Sequence, residues 1–146
     1  MSRTIDSLIE DFELLDSWED RYRYVIELGN GLAPLAEADH SAANKVKGCV
    51  SQVWLKTESE SGTTADPVLR FTGDSDAHIV RGLIAILLEL LSGRPASDIL
   101  ATDVREVFEK IGLTDHLTPQ RSNGLFAMVE RIKNDARQAL KQHAAE

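Results

Sequence analysis

Apolar residues in the first fifteen positions recur at helical spacing. Ile5, Leu8, Ile9, Phe12 and Leu15 predict an amphipathic helix, with Thr4 as its candidate N-cap. Ser17, followed three residues later by Asp20, has the form of a capping box. The helix it opens carries Trp18, Tyr22, Val25 and Ile26 on one stripe and is expected to end at Gly29. Residues 30–43 read as a loop with one helical turn near Pro34. The period then shortens. Residues 45–47 are a weak strand candidate. In 52–58, Val53 and Leu55 face one way, Trp54 and Lys56 the other. In 68–72, Leu69 and Phe71 share a face. The polar stretch "ESESGTTADP" between the last two reads as a hairpin loop.

After residue 76 the period lengthens again. Apolar residues from 76 to 91 cover nearly the whole helical circumference, which predicts a helix buried on most sides, stopped by Gly93 and Pro95. Thr102 is the expected cap of a further helix through Val104, Val107, Phe108 and Ile111, closed by Gly112. A last helix carries Leu125, Met128, Val129, Ile132, Ala136, Ala139 and Leu140, with Ser122 or Asn123 as its cap. Helices, then a short antiparallel sheet, then helices describe an α+β fold with the central helix on one sheet face. The length of 146 residues and the absence of repeats or linkers predict one domain over 1–146.

Charge adds an asymmetry. Residues 1–40 hold ten acids and three bases, so most of the net charge of −8 lies there, as expected of a solvated helical face. That balance argues against a duplex nucleic-acid binder, which needs a basic surface. "GLIAILLELL" is about half the ~20 residues of a membrane span and contains Glu89, so it reads as a core helix. No basic-then-apolar leader pattern opens the sequence, and one cysteine permits no internal disulfide. A cytoplasmic location with a reduced thiol is the expectation.

Chemistry narrows to few residues. His40, His78, His116 and His143 are scattered and form no HExxH motif, and none stands at ligand spacing from Cys49, so no metal site is expected. Nucleotide-binding glycine motifs are absent from the sequence. "GDSDA" (73–77) reads as an acidic loop in which Asp74 or Ser75 caps the central helix. The single cysteine lies in "KVKGCVSQVW" (45–54), after Gly48, a residue that opens backbone conformations closed to others. Spacing alone leaves a structural and a reactive thiol both open. Lys45 and Lys47 would favour the nucleophilic thiolate. In "LTPQRSNGL" (117–125), Arg121 falls just before a predicted helix N-terminus, the wrong end for a cation, which points to a partner elsewhere.

Four segments in this order, "WEDRYRYVIELG", "KVKGCVSQVWL", "GDSDAHIVRGLIAILL" and "LTPQRSNGL", resemble the signature regions of the SufE family, sulfur-acceptor proteins of iron–sulfur cluster assembly. The resemblance runs from about Trp18 to beyond Leu125. It implies a three-stranded antiparallel sheet packed by helices, the SufE/IscU-like fold. It also implies that Cys49 accepts sulfur as a persulfide from a SufS-like cysteine desulfurase, that the chain stimulates that enzyme, and that it passes the sulfur to a SufB-containing scaffold complex. Pyridoxal phosphate belongs to the desulfurase, so this chain is expected to hold no cofactor. It is read as a sulfur-transfer accessory protein rather than an independent enzyme, monomeric or homodimeric, with neither nucleic acid nor membrane as partner. Cys49 matches the acceptor cysteine, and Arg121, Asp74, Gly48 and Gln52 fall at partner-contact positions. Val50 stands where the family commonly has glutamine, so a role for that side chain does not carry over.

A lone thiol suits this chemistry, because a second cysteine would attack the carried sulfur and release it. It does not suit a cluster scaffold, which needs several thiolates. Three alternatives stand beside this reading. The first is a paralogous carrier of the CsdE type serving another desulfurase and acceptor. The second is a cysteine hydrolase, which requires His40 or His116 beside Cys49. The third is an interaction module in which Cys49 merely packs.

Overall fold

The computed structural model describes residues 5–48, 51–60, 66–113 and 117–144. Helix α1 spans Ile5–Glu13 and buries Leu8 and Phe12, two members of the predicted stripe. Helix α2 spans Trp18–Asn30, and Ser17 Oγ accepts the Asp20 amide at 3.1 Å, as the capping pattern predicts. The expected stop at Gly29 is corrected. Gly29 lies inside α2, buried against Gly82 and Arg81, and the helix closes one residue later with Gly31 as cap. The turn expected near Pro34 forms instead as a short 3-10 helix, Glu37–Asp39.

Strand β1 is Val53–Ser59 and strand β2 is Val68–Ser75, paired antiparallel from Val53 opposite Ser75 to Ser59 opposite Leu69. Strand β2 therefore runs three residues past the predicted end and absorbs Gly73, Asp74 and Ser75, which the sequence reads as loop. Its inward face explains this: Leu69, Phe71, Gly73 and Ser75 are all buried. A Cβ at Gly73 would stand 2.8 Å from both Ile84 and Leu55, so only glycine lets the strand continue under the covering helix.

That helix, α3 (His78–Leu91), covers the sheet and is buried around most of its circumference, as predicted. The third strand is not 45–47. Strand β3 is the dipeptide Arg94–Pro95, which pairs antiparallel with Val68 and Leu69 after the chain returns from α3. Gly93, with φ near +78°, makes that reversal. Residues 44–46 contribute only a bridge, with Lys45 opposite Trp54.

Helix α4 (Ala96–Ala101) has no counterpart in the sequence reading. Asp103, not Thr102, caps α5 (Val104–Lys110), accepting the Glu106 amide at 3.2 Å, while the Thr102 hydroxyl donates back to the Asp98 carbonyl. Gly112, with φ near +74°, ends that helix as predicted. Helix α6 (Pro119–Ala144) buries Leu125, Met128, Val129, Ile132, Ala136 and Ala139. It is fastened along β1 by Asp135, whose carboxylate accepts the Thr57 hydroxyl at 2.6 Å and lies 3.3 Å from Arg131 Nε. No helix among the described residues is long and apolar enough to cross a membrane.

Candidate functional site

The segment that carries the cysteine is a closed excursion of the backbone. The Val46 amide donates to the Val53 carbonyl at 2.8 Å, and the Leu55 amide donates to the Asn44 carbonyl at 2.8 Å. Two antiparallel contacts thus join residues 44–46 to 53–55, leaving residues 47–52 between them. Cys49 and Val50 lie outside the described residues, but both ends of the excursion are defined. On the entering side, exposed Gly48 has φ near +91°, and a Cβ there would stand 3.4 Å from Ala127 of α6. Glycine is required there for the backbone angle rather than for space. On the leaving side, the Gln52 amide donates to Asp76 Oδ1 at 3.0 Å, and the Asp76 amide returns a bond to the Gln52 carbonyl at 3.3 Å. Gln52 is anchored through its backbone while its side chain is exposed.

Next to the leaving side is a cavity of about 210 Å³. Val53, Val80, Leu83, Leu125 and Met128 form its apolar wall, and Ser51, Thr118, Gln120 and Arg121 its polar wall. Ser51 stands two residues beyond Cys49, so the cavity brings the cysteine segment and Arg121 to one place across the fold.

Arg121 gets there by a route that differs from the sequence expectation. Neither Ser122 nor Asn123 caps α6. Thr118 Oγ1 accepts the Arg121 amide at 3.2 Å, the Thr118 carbonyl accepts the Ser122 amide at 2.9 Å, and Pro119 occupies the first helical turn, where a missing N–H costs nothing. Arg121 is therefore inside the first turn, still at the positive end of the dipole. Its Nη1 is buried and has no hydrogen-bond partner among the described residues. A buried guanidinium N–H favours an anionic or acceptor group as its partner, and none of the described residues supplies one to Nη1.

Asp74 is not that group. It sits opposite Trp54 at the end of β2, where Oδ2 accepts His40 Nε2 at 2.8 Å, and Oδ1 accepts the Ser75 amide at 2.8 Å. Arg81 Nε lies 3.3 Å from Oδ1, near enough for charge attraction but without hydrogen-bond alignment. Burial, the largest single influence on this carboxyl, pushes it up. The His40 bond, the Ser75 amide and the Arg81 charge together outweigh it and hold Asp74 below its ordinary range. The same bond is the main cause that raises His40 above its ordinary value. The other ring nitrogen, Nδ1, lies 3.1 Å from the Ala36 carbonyl. Both neighbours accept, so both ring nitrogens donate, and the charged imidazolium satisfies both at once. Trp54 closes the cluster, its ring edge-on to His40 at 4.8 Å.

The predicted set thus divides. Arg121 shares a cavity with Ser51 and Val53 from beyond Cys49; Asp74 belongs to a neighbouring polar cluster; Gly48 and Gln52 line neither. The expectation that Asp74 or Ser75 caps α3 is not met: Ala77 is the N-cap residue and the helix has no side-chain cap, while the Ser75 hydroxyl accepts only the amide of Ala77 itself, at 3.2 Å. Sequence reasoning missed Gln120 and Thr118 in the cavity, and His40, Trp54 and Arg81 around Asp74. Arg81 alone left a signal, as a cation inside an otherwise apolar helix.

The residues match known proteins closely. Residues 6–136 match the family model described as SufE, Fe-S metabolism associated domain. An uncharacterized SufE-like protein of Rhizobium etli is 58% identical over 134 residues, covering 92% of this chain and 90% of the relative. A second, from Rhizobium meliloti, is 54% identical over 133 residues, covering 91% and 94%. The solution structure of a hypothetical protein from Thermus thermophilus is similar with a TM-score of 0.73 at 22% identity, covering 94% of this chain and 96% of the other, and supports the fold. The chain belongs to the SufE family, whose role lies in iron–sulfur metabolism.

Proposed function

We propose that this protein is a sulfur carrier that holds a persulfide on Cys49, taken from a cysteine desulfurase and passed to the protein complex on which clusters are built. The Cys49 thiolate attacks the terminal sulfur of a persulfide on the donor enzyme. The donor's S–S bond breaks, its thiolate leaves, and a new S–S bond forms on Cys49. In delivery the acceptor's thiolate attacks that terminal sulfur and Cys49 leaves as thiolate, so no outside oxidant or reductant is needed. One observation supports the reading above the rest. The chain's only cysteine falls in a backbone excursion closed by Val46 and Val53, beside a cavity that offers an arginine N–H with no partner among the described residues.

The cavity suits a carried sulfur in two ways. Its apolar wall gives a polarisable sulfur a surface to pack on, and Arg121 offers the charge that a persulfide anion needs. For His40 the hydrolase alternative loses support, since both of its ring nitrogens are already bonded and neither is free to take a proton from a thiol; His116 lies outside the described residues. Stimulation of the desulfurase, a SufS-like donor, a SufB-containing acceptor and a cytoplasmic location belong to this reading as proposals. The experiment is mass spectrometry after incubation with a desulfurase and cysteine. The wild-type chain gains the mass of one sulfur and Cys49→Ser does not. An unmodified Cys49 while the desulfurase turns over would overturn the carrier reading.

A further inference from the structure

On the entering side of the cysteine segment, α6 and residues 42–47 enclose a second, open groove of about 560 Å³. Its floor is small, formed by Ala42, Ala43 and Ala127. Its walls carry Lys45, Lys47, Arg131 and Arg137 against a single carboxylate, Glu130. In a chain of net charge −8 this is a local reversal of sign. The charges are not equally available. Arg131 is offset by Asp135, and its Nη2 and Nη1 donate to the carbonyls of Ala43 at 3.0 Å and Lys45 at 3.4 Å, which fixes the wall in place. Arg137 lies 3.6 Å from Glu130. Lys45 and Lys47 are exposed and have no ion partner among the described residues.

We propose that this groove seats an acidic, extended segment of the partner protein that meets Cys49. Lys45, in the bridge opposite Trp54, and Lys47, in the turn after it, stand on the chain entering the cysteine excursion, four and two residues before Cys49, so a segment held there is brought to the thiol's segment. Carboxylates on alternate residues of an extended chain reach the two lysines, and the alanine floor leaves room for its backbone. A short acidic peptide stays within about one Debye length, 8–10 Å, of the lysines and feels mainly their charge. A long polyphosphate would also meet the surface beyond the groove, on a chain whose net charge is −8. That difference selects a protein segment over a nucleic acid.

The inference rests on the carrier reading for the identity of the partner, and the test separates the two. Binding of a fluorescein-labelled hexaglutamate peptide to the full chain is followed by anisotropy at low and high salt. Lys45→Glu/Lys47→Glu weakens binding about tenfold. Lys45→Gln/Lys47→Gln weakens it less, and wild-type affinity falls with salt. Lys110→Glu/Lys141→Glu, an equal charge change elsewhere, leaves binding nearly unchanged. No binding by the wild type, equal losses in both charge-reversed doubles, or tighter binding of a single-stranded oligonucleotide through the same lysines would each overturn the groove. Sulfur loading is measured in parallel. Loading without peptide binding removes the groove alone. Peptide binding without loading supports the groove and removes the carrier reading.

Discussion

Gly29 of α2 and Gly82 of α3 meet backbone to backbone: a Cβ on Gly29 would stand 2.6 Å from the Gly82 amide nitrogen, and one on Gly82 would stand 2.1 Å from the Val25 carbonyl oxygen. Neither position has a left-handed φ, so what each glycine supplies is closeness of approach. Gly82→Ala therefore forces the helices apart and should destabilise the fold by about 2 kcal/mol or more, in the range of overpacked cores. Denaturant midpoints measure it. An unchanged midpoint would show that the helices separate freely.

The His40–Asp74 pair gives a pH dependence whose sign follows from the two shifts. His40 is raised above 6.5 in the fold, so its contribution is complete below that value and is lost as pH rises through the folded value. Asp74 is lowered below 3.8, so its contribution is present above that value and is lost as pH falls through the folded one. The pair favours folding most between these limits. In an NMR titration His40 should titrate above 6.5, and Asp74→Asn should bring it down. A wild-type midpoint at or below 6.5 would refute the bond.

Arg121→Ala should leave the melting temperature nearly unchanged or slightly raised, because the Nη1 it removes has no partner among the described residues. Under the carrier reading, sulfur uptake from the desulfurase should fall about tenfold or more, as for a buried charge that pairs only in the complex. Arg121→Lys should restore part of it. Uptake rates with melting temperature as control decide the matter. Unchanged uptake would leave Arg121 without a functional part.

Asp135 joins three elements, since it holds Thr57 of β1 and Arg131 of α6, which in turn holds the carbonyls of residues 43 and 45. Asp135→Ala should cost about 1–3 kcal/mol. Amide exchange should rise first in residues 43–46, ahead of α3. Loss spread evenly over the chain would contradict that local coupling.

Periodicity makes every α-helix but the six-residue α4, and the two long strands, legible, because burial is written in each segment itself. What it misses depends on other segments. Strand β3 is two residues long, too short for any period, and exists only because the chain after α3 returns beside Val68 and Leu69. The strand identity of residues 73–75 is hidden by residues that look like turn formers, and tertiary burial under Ile84 overrides that preference. Gly29 looks like a helix stop for the same reason. At the site, the cysteine segment and Arg121 are legible as oddities against local preference. That Asp74 turns to His40 rather than to Arg121 is not, since residues 34 apart leave no local trace of their contact.

The shortness of β3 also bears on how the protein behaves in a crowded solution. A strand's free edge is a template for a second chain. In this sheet the β2 side is closed by Arg94–Pro95, where proline has no N–H to offer, and then by Ser92, whose hydroxyl accepts the Phe71 amide at 2.9 Å. On the β1 side, residues 44–46 cover residues 53–55, and what remains beyond them carries Lys56 and Glu58. Small, irregular additions at both margins leave no long, apolar stretch of edge for a neighbour to pair with, so a three-stranded sheet that never closes on itself still resists growth into an aggregate.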